Sequence, residues 1–318
     1  MAELNPPTRP ILSITIRVTT EADRENLQRG LLNLAKEDPQ MRVTADPTGL
    51  QTIVSGMGEL HLEIICDRLR REYKVQLDVG EMNVLYLETI RKPSEGEGKY
   101  IRQVGGKGQY AHVLLRLEPL EAGRGYEFVS EIKGESIPER FLEPINQGIQ
   151  GKLEAGILAA FPMVDLKATV YDGSFDELDS NELTFQIAGS MAFQDAARKA
   201  APVLLEPIMA VQVSSPEEYV GAILGDLDSR RGHLEGMRLD GDVMVITAAV
   251  PLAEILGYAS QIRALTLGKA EYKMTLARYR VTPPPRESGD EEIGVTANKP
   301  KGPHLRSGSA AADFEAGF

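Results

Sequence analysis

The sequence predicts an α+β fold in which two copies of one βαββαβ unit flank a longer, less regular α+β segment. Three observations carry this. Near each end a strictly alternating apolar run leads into a helix, two short strands, a second helix and a final strand, so one element order occurs twice. The stretch between them breaks that order and contains Gln103-Val104-Gly105-Gly106-Lys107-Gly108-Gln109-Tyr110, whose glycines permit a tight turn or a close backbone approach to another molecule. After residue 281 come prolines, an acidic cluster and then Gly, Ser and Ala, so 282–318 is expected to be a disordered tail.

In the first unit Leu12, Ile14, Ile16 and Val18 alternate with Ser13, Thr15 and Arg17, the period of a half-buried strand. Thr20-Glu21-Ala22-Asp23 is a capping box for a helix that buries Leu27, Leu31, Leu34 and Ala35 and ends before Pro39. Strands at 41–45 and 51–54 are separated by the turn residues Asp46-Pro47-Thr48-Gly49. A helix over 59–73 turns Leu62, Ile65, Cys66 and Leu69 inward, and Val75, Leu77 and Val79 form the last strand. This is the ferredoxin-like order.

The middle segment predicts strands at 113–117, 126–132 and 164–171 and helices at 138–155 and 180–199, the second capped within Asp179-Ser180-Asn181-Glu182. A second polar loop, Tyr171 to Leu178, follows a strand just as the Gly-rich loop does. In the last unit Met209, Val211 and Val213 alternate, and Ser215-Pro216-Glu217-Glu218 reads as a helix start with a Ser cap. Val220, Ile223, Leu224 and Leu227 form its stripe, and Gly232 ends it. Strands at 234–238 and 243–250, a helix over 252–267 stopped by Gly268, and a strand at 272–277 complete the second ferredoxin-like unit.

Composition narrows the function. The 318 residues are 42% hydrophobic and 26% charged, a globular balance with material for several cores. Aromatics make up only 6%, with no Trp, which argues against a base-stacking platform. A single cysteine excludes an intrachain disulfide or a thiolate zinc cluster and suits a reducing, cytoplasmic setting. No apolar run approaches the roughly 20 residues of a membrane span, and the N-terminus has no signal-peptide pattern. A net charge of −12 counts against general nucleic-acid affinity, while small basic contact points on an acidic body remain compatible with it.

Locally, the Gly-rich stretch reads as a polar hairpin turn or as a loop in which Lys107 meets a phosphate and the glutamines a base edge or sugar. Asp176, Glu177 and Asp179 with His112 fit helix-capping acids, or an acid–base or metal site in a free-standing carboxylate-dependent enzyme. His61 with Glu59 and Glu63 fits a helix start. Arg230 and Arg231 pair with a helix dipole or clamp a phosphate. No G-x-x-x-x-G-K-[ST] occurs, so nucleotide binding by that route is not expected.

Longer strings carry a family resemblance. Val54-Ser55-Gly56-Met57-Gly58-Glu59-Leu60-His61-Leu62-Glu63 resembles the domain III signature of bacterial elongation factor G. The Gly-rich loop through Val113 resembles the first tip loop of its domain IV, and Asp179-Ser180-Asn181-Glu182-Leu183 the segment after the second. Val203-Leu204-Leu205-Glu206-Pro207-Ile208-Met209 and Gly225-Asp226-Leu227-Asp228-Ser229-Arg230-Arg231-Gly232 resemble the entry and first helix of domain V. The similarity spans about 11–281.

The resemblance implies a linker at 1–10, domain III at 11–83, domain IV at 84–207 as a tRNA-mimicking arm with a left-handed βαβ crossover, and domain V at 208–281. It implies a cytoplasmic monomer that promotes tRNA and mRNA translocation, contacting ribosomal RNA, the tRNA–mRNA duplex and ribosomal proteins. This chain would itself be no enzyme and hold no cofactor, GTP and magnesium belonging to a separate GTPase domain. Gln103, Gly105, Gly106, Lys107, Gly108 and Gln109 would meet the codon–anticodon duplex, Asp176, Asp179 and Ser180 would form the second tip loop, and Arg230 and Arg231 would face ribosomal RNA. Val104, Lys107, Ala111 and Leu87 depart from the family pattern, as does Asp176, where His is usual. These departures keep open a specialised relative in ribosome recycling or tetracycline protection.

Overall fold

The computed structural model describes residues 9–45, 51–104, 107–134 and 136–283. The turn expected at Asp46-Pro47-Thr48-Gly49, the pair Gly105-Gly106, most of the linker and the tail from 284 lie outside the described residues.

In β1 (Leu12–Arg17) the alternation buries Leu12, Ile14 and Ile16. Thr20 caps α1 (Glu21–Glu37), its hydroxyl accepting from the Asp23 N–H at 3.1 Å, and Leu27, Leu31 and Leu34 are buried. β2 (Arg42–Ala45), β3 (Thr52–Gly56), α2 (Glu59–Arg71) and β4 (Asp78–Val84) follow. The antiparallel sheet has the order β2-β3-β1-β4, the ferredoxin-like arrangement. β4 begins later than the alternation at Val75, Leu77 and Val79 suggests. Lys74 has φ 56, the Val75 N–H bonds to the Leu69 carbonyl, and the Gln76 N–H bonds to the Asp23 carboxylate, so these donors are lost to the ladder.

The middle holds β5 (Leu87–Ile90), β6 (Ser94–Val104), β7 (Lys107–Pro119), β8 (Tyr126–Ser130), α3 (Leu142–Ala155), β9 (Leu166–Ser174) and α4 (Glu182–Lys199). Its sheet has the order β6-β7-β9-β8, with β8 and β9 parallel and connected through α3. Both helices cover one face, where Phe141 stacks on Phe185 at 4.4 Å and Val113, Leu115, Leu117 and Val170 are buried. β6 escapes the sequence reading because Gly96 and Gly98 look like loop residues. They are glycines because α4 lies against them: a Cβ at Gly98 would overlap the Ala188 carbonyl. Asn181 and Thr184 cap α4 reciprocally.

β10 (Pro202–Ser215) is one continuous strand through 207–208, where the resemblance implies a domain boundary. α5 (Val220–Ser229), β11 (His233–Asp240), β12 (Val243–Pro251), α6 (Leu252–Ile255), α7 (Tyr258–Leu265) and β13 (Glu271–Val281) repeat the first unit's topology in the order β11-β12-β10-β13. β5 also pairs with β10, which ties the middle to this sheet. Two helix expectations are corrected. Ser215 stays buried in the strand, its hydroxyl on the Pro216 carbonyl rather than capping, and a 3-10 turn precedes α5. The single helix expected over 252–267 is two, because Leu256 is extended and Gly257 sits at φ 71. The Gly257 N–H freed by this break donates to both carboxylate oxygens of Glu59, at 3.0 and 3.1 Å.

Candidate nucleic-acid interface

The β6–β7 ladder runs without interruption from Ser94↔Leu117 to Val104↔Lys107, and its last five pairs, from Tyr100↔Ala111 onward, project beyond the ladder that β7 makes with β9. The ladder between β7 and β9 then brings the second polar loop to the same end. The Tyr110 N–H donates to the Asp179 carbonyl at 2.9 Å, the Ser180 hydroxyl donates to the Tyr110 carbonyl at 2.7 Å, and the Tyr110 and Ser174 hydroxyls are 2.6 Å apart. Gly108 is the contact point: a Cβ there would overlap the Asp179 carboxylate.

Within the second loop Asp176 supports its own backbone. Its Oδ1 accepts from the N–H groups of Leu178 and Asp179 at 2.9 and 3.0 Å, while its N–H donates to the Ser180 hydroxyl at 2.9 Å. This Asx-type turn leaves Leu178 at the apex, 94% exposed. Gln109 accepts from the Tyr100 hydroxyl at 3.2 Å, and Arg102 and Gln103 are exposed. Gly105 and Gly106 lie outside the described residues, as does the Lys107 side chain.

Arg230 and Arg231, expected to face RNA, are held by the protein. Arg230 donates to Asp226 at 2.9 Å, to the Glu254 carbonyl at 2.5 Å and to Gln261, and it lies over the Tyr258 ring at 5.2 Å. Arg231 donates to Glu206 at 2.6 Å and to Glu254 at 3.3 Å. At the end of α5 it is Arg231, at φ 58, that takes the left-handed position, at about 1 kcal/mol for a side-chain-bearing residue. Gly232 is needed instead for close approach, since a Cβ there would stand 2.5 Å from the Leu227 carbonyl that accepts its N–H.

His112 does not join the acids of the second loop. Its Nε2 is 2.8 Å from Glu97 and its Nδ1 3.4 Å from the Ser174 hydroxyl. Among the described residues no three His, Cys, Asp or Glu side chains stand together as a metal site. His61 is structural. Its Nδ1 accepts from the Met57 N–H at 3.0 Å, which places the ring proton on Nε2, 2.6 Å from Asp38. No helix among the described residues is long and apolar enough to cross a membrane.

One buried residue at the base of the middle unit goes unread in the sequence. Glu88 on β5 is 0% exposed and accepts four backbone N–H groups, from Ile157, Leu158, Ala159 and Phe161, at 2.6, 2.9, 2.8 and 3.2 Å. It clasps the turn between α3 and β9 to the strand that pairs with β10. A lone acid inside Leu85-Tyr86-Leu87-Glu88-Thr89-Ile90 is the signal that marks it.

Models of elongation factor G match three consecutive blocks: domain III over 7–81, domain IV over 82–201 and the C-terminus over 203–288. A crystal structure of a protein from Thermus thermophilus is similar with a TM-score of 0.69 and 40% identity, over 88% of this chain and 42% of that one. The chain therefore spans less than half the length of that solved relative.

Proposed function

The chain belongs to the elongation factor G family of translation factors, and from that premise we propose that it is the ribosome-contacting part of such a factor, with the middle unit as an arm that probes RNA during translocation. The observation that carries this is the meeting of the two polar loops through Tyr110, Asp179 and Ser180 at the end of the β6–β7 hairpin. Gln103, Gly105, Gly106, Lys107, Gly108 and Gln109 supply backbone and polar side chains for a codon–anticodon duplex. Asp179 and Ser180 brace them from behind.

The acid at 176 is compatible with this role because its Oδ1 is engaged by the loop's own N–H groups. Arg230 and Arg231 enter as the frame that joins α5 to β10 and α7, since their guanidinium groups already have protein partners. A rigid arm occupying a vacated tRNA site would raise the cost of backward movement. GTP hydrolysis in that scheme belongs to a separate GTPase domain.

Cosedimentation of the chain with ribosomes across a salt series tests the reading. Arg102→Glu with Lys107→Glu should weaken association several-fold at low salt and flatten the dependence of log K on log salt by about 2. Parent-like binding of this variant at every salt concentration would remove the tip from the interface.

A further inference from the structure

The four-stranded sheet of the middle unit is covered by α3 and α4 on one face only. Strand alternation sends the other residues of β6, β7 and β9 to the opposite face, and among the described residues no helix packs there. Ile101, at the tip end of this face, is 64% exposed.

Its charge is one-sided. Arg116 is spent on Glu131 at 2.6 Å and Lys167 on Glu118 at 2.6 Å. Glu95, Glu97 and Asp172 remain against Lys99; the Glu97 carboxylate meets the imidazole of His112, and Asp172 accepts the N–H of its neighbour Gly173 at 2.8 Å. The field is felt at Tyr171, whose hydroxyl is pushed above its usual range by burial first and then by Glu95, with Asp172 and Glu97 adding to it. A surface of this sign repels a phosphate backbone and attracts cations.

A second observation points to an occupant. Thr169, between Arg116 of β7 and Val129 of β8 on this same face, is 0% exposed, and among the described residues its hydroxyl has no hydrogen-bond partner. Native proteins seldom leave such a group unpaired; because it is fully covered, a bound segment would satisfy it only by displacing the side chains above it and bringing in a polar atom. We infer that the open face of the β6-β7-β9-β8 sheet docks a lysine- or arginine-rich polypeptide segment. The arm then has two chemically distinct sides: a tip for RNA and an acidic flank for a basic protein. The inference stands apart from the RNA reading of the tip.

The test uses the full chain and a short fluorescent peptide of alternating lysine and serine, with single-stranded RNA of equal length as competitor. Replacing Glu95→Gln, Glu97→Gln and Asp172→Asn together should weaken peptide binding on the order of tenfold. A control of equal charge change on exposed acids elsewhere, Glu25→Gln, Glu121→Gln and Glu271→Gln, should stay near the parent, and so should the tip variant Lys107→Glu. Unchanged binding by the flank variant, an equal loss in the control, or RNA displacing the peptide from the flank would each overturn the inference.

Discussion

Glu88 and Glu206 are buried carboxylates, 0% and 2% exposed, on strands β5 and β10 that pair with each other, yet they are neutralised in opposite ways. Glu88 is met by four main-chain N–H groups of one turn. Glu206 is met by two cations, Arg231 at 2.6 Å and Arg280 at 3.1 Å. Backbone dipoles cannot be altered by side-chain substitution, whereas guanidinium groups can. The first arrangement therefore fixes a shape, the turn at the base of the arm. The second fixes an association between α5, β10 and β13, and its partners can be exchanged. Both lie where the arm meets the C-terminal unit.

The largest effect should come from Glu88→Ala. It leaves four donors unpaired in a closed site, where each unmet group costs about 1–3 kcal/mol, so destabilisation of at least about 3 kcal/mol is expected even after water enters. Urea unfolding monitored by circular dichroism reads this as a lowered midpoint. Glu88→Gln should recover part of the loss, since its amide keeps one oxygen but turns an N–H₂ toward donors. No second substitution should rescue Glu88→Ala, and finding one would break the comparison.

Glu206→Ala should cost less, about 2 kcal/mol, because the two arginines it strands are partly exposed and water meets part of their charge. Here rescue is expected. Adding Arg231→Met and Arg280→Met should return most of the stability, as apolar groups of similar volume commonly replace buried ion pairs without loss. The same urea midpoints check this, and a triple variant no more stable than Glu206→Ala would place the two carboxylates in one class.

How much of this is legible in the sequence depends on whether the signal is local. The alternation of Leu12, Ile14 and Ile16, the Thr20 cap and the repeated unit order depend on nearest neighbours, and the structure keeps them. β6 does not read as a strand because Gly96 and Gly98 answer to the backbone of α4, about a hundred residues away in sequence. The break at Gly257 looks like a helix interior because the flanking residues keep helical spacing. At the site, the residue types of the tip are readable, but their convergence rests on the β7–β9 register. Arg230 and Arg231 look free because, of their side-chain partners, only Asp226 is near in sequence, while Glu206, Glu254 and Gln261 arrive from other elements. Glu88 escapes because an acid in a strand reads as solvent-facing until its turn is folded onto it.

Beside the Glu206 network, Tyr258 supplies the smallest effect and a control of opposite sign. It is 1% exposed, its hydroxyl has no hydrogen-bond partner among the described residues, and its ring lies beneath Arg230. Tyr258→Phe keeps the ring and the cation above it and removes an unmet polar group, so stability at neutral pH should hold or rise by up to about 1 kcal/mol. Burial, with Asp226 adding to it, pushes the Tyr258 hydroxyl up to about 12. A hydroxyl ionising near 10 when unfolded and near 12 when folded contributes stability that is fully present below pH 10 and is lost as pH rises through 12. The parent should therefore weaken across that window more steeply than Tyr258→Phe, as read by urea midpoints at about pH 9 and about pH 11. Equal slopes would mean that folding does not hold this hydroxyl protonated above its usual range, and the contrast between the met carboxylates and this unmet hydroxyl would lose its pH dependence.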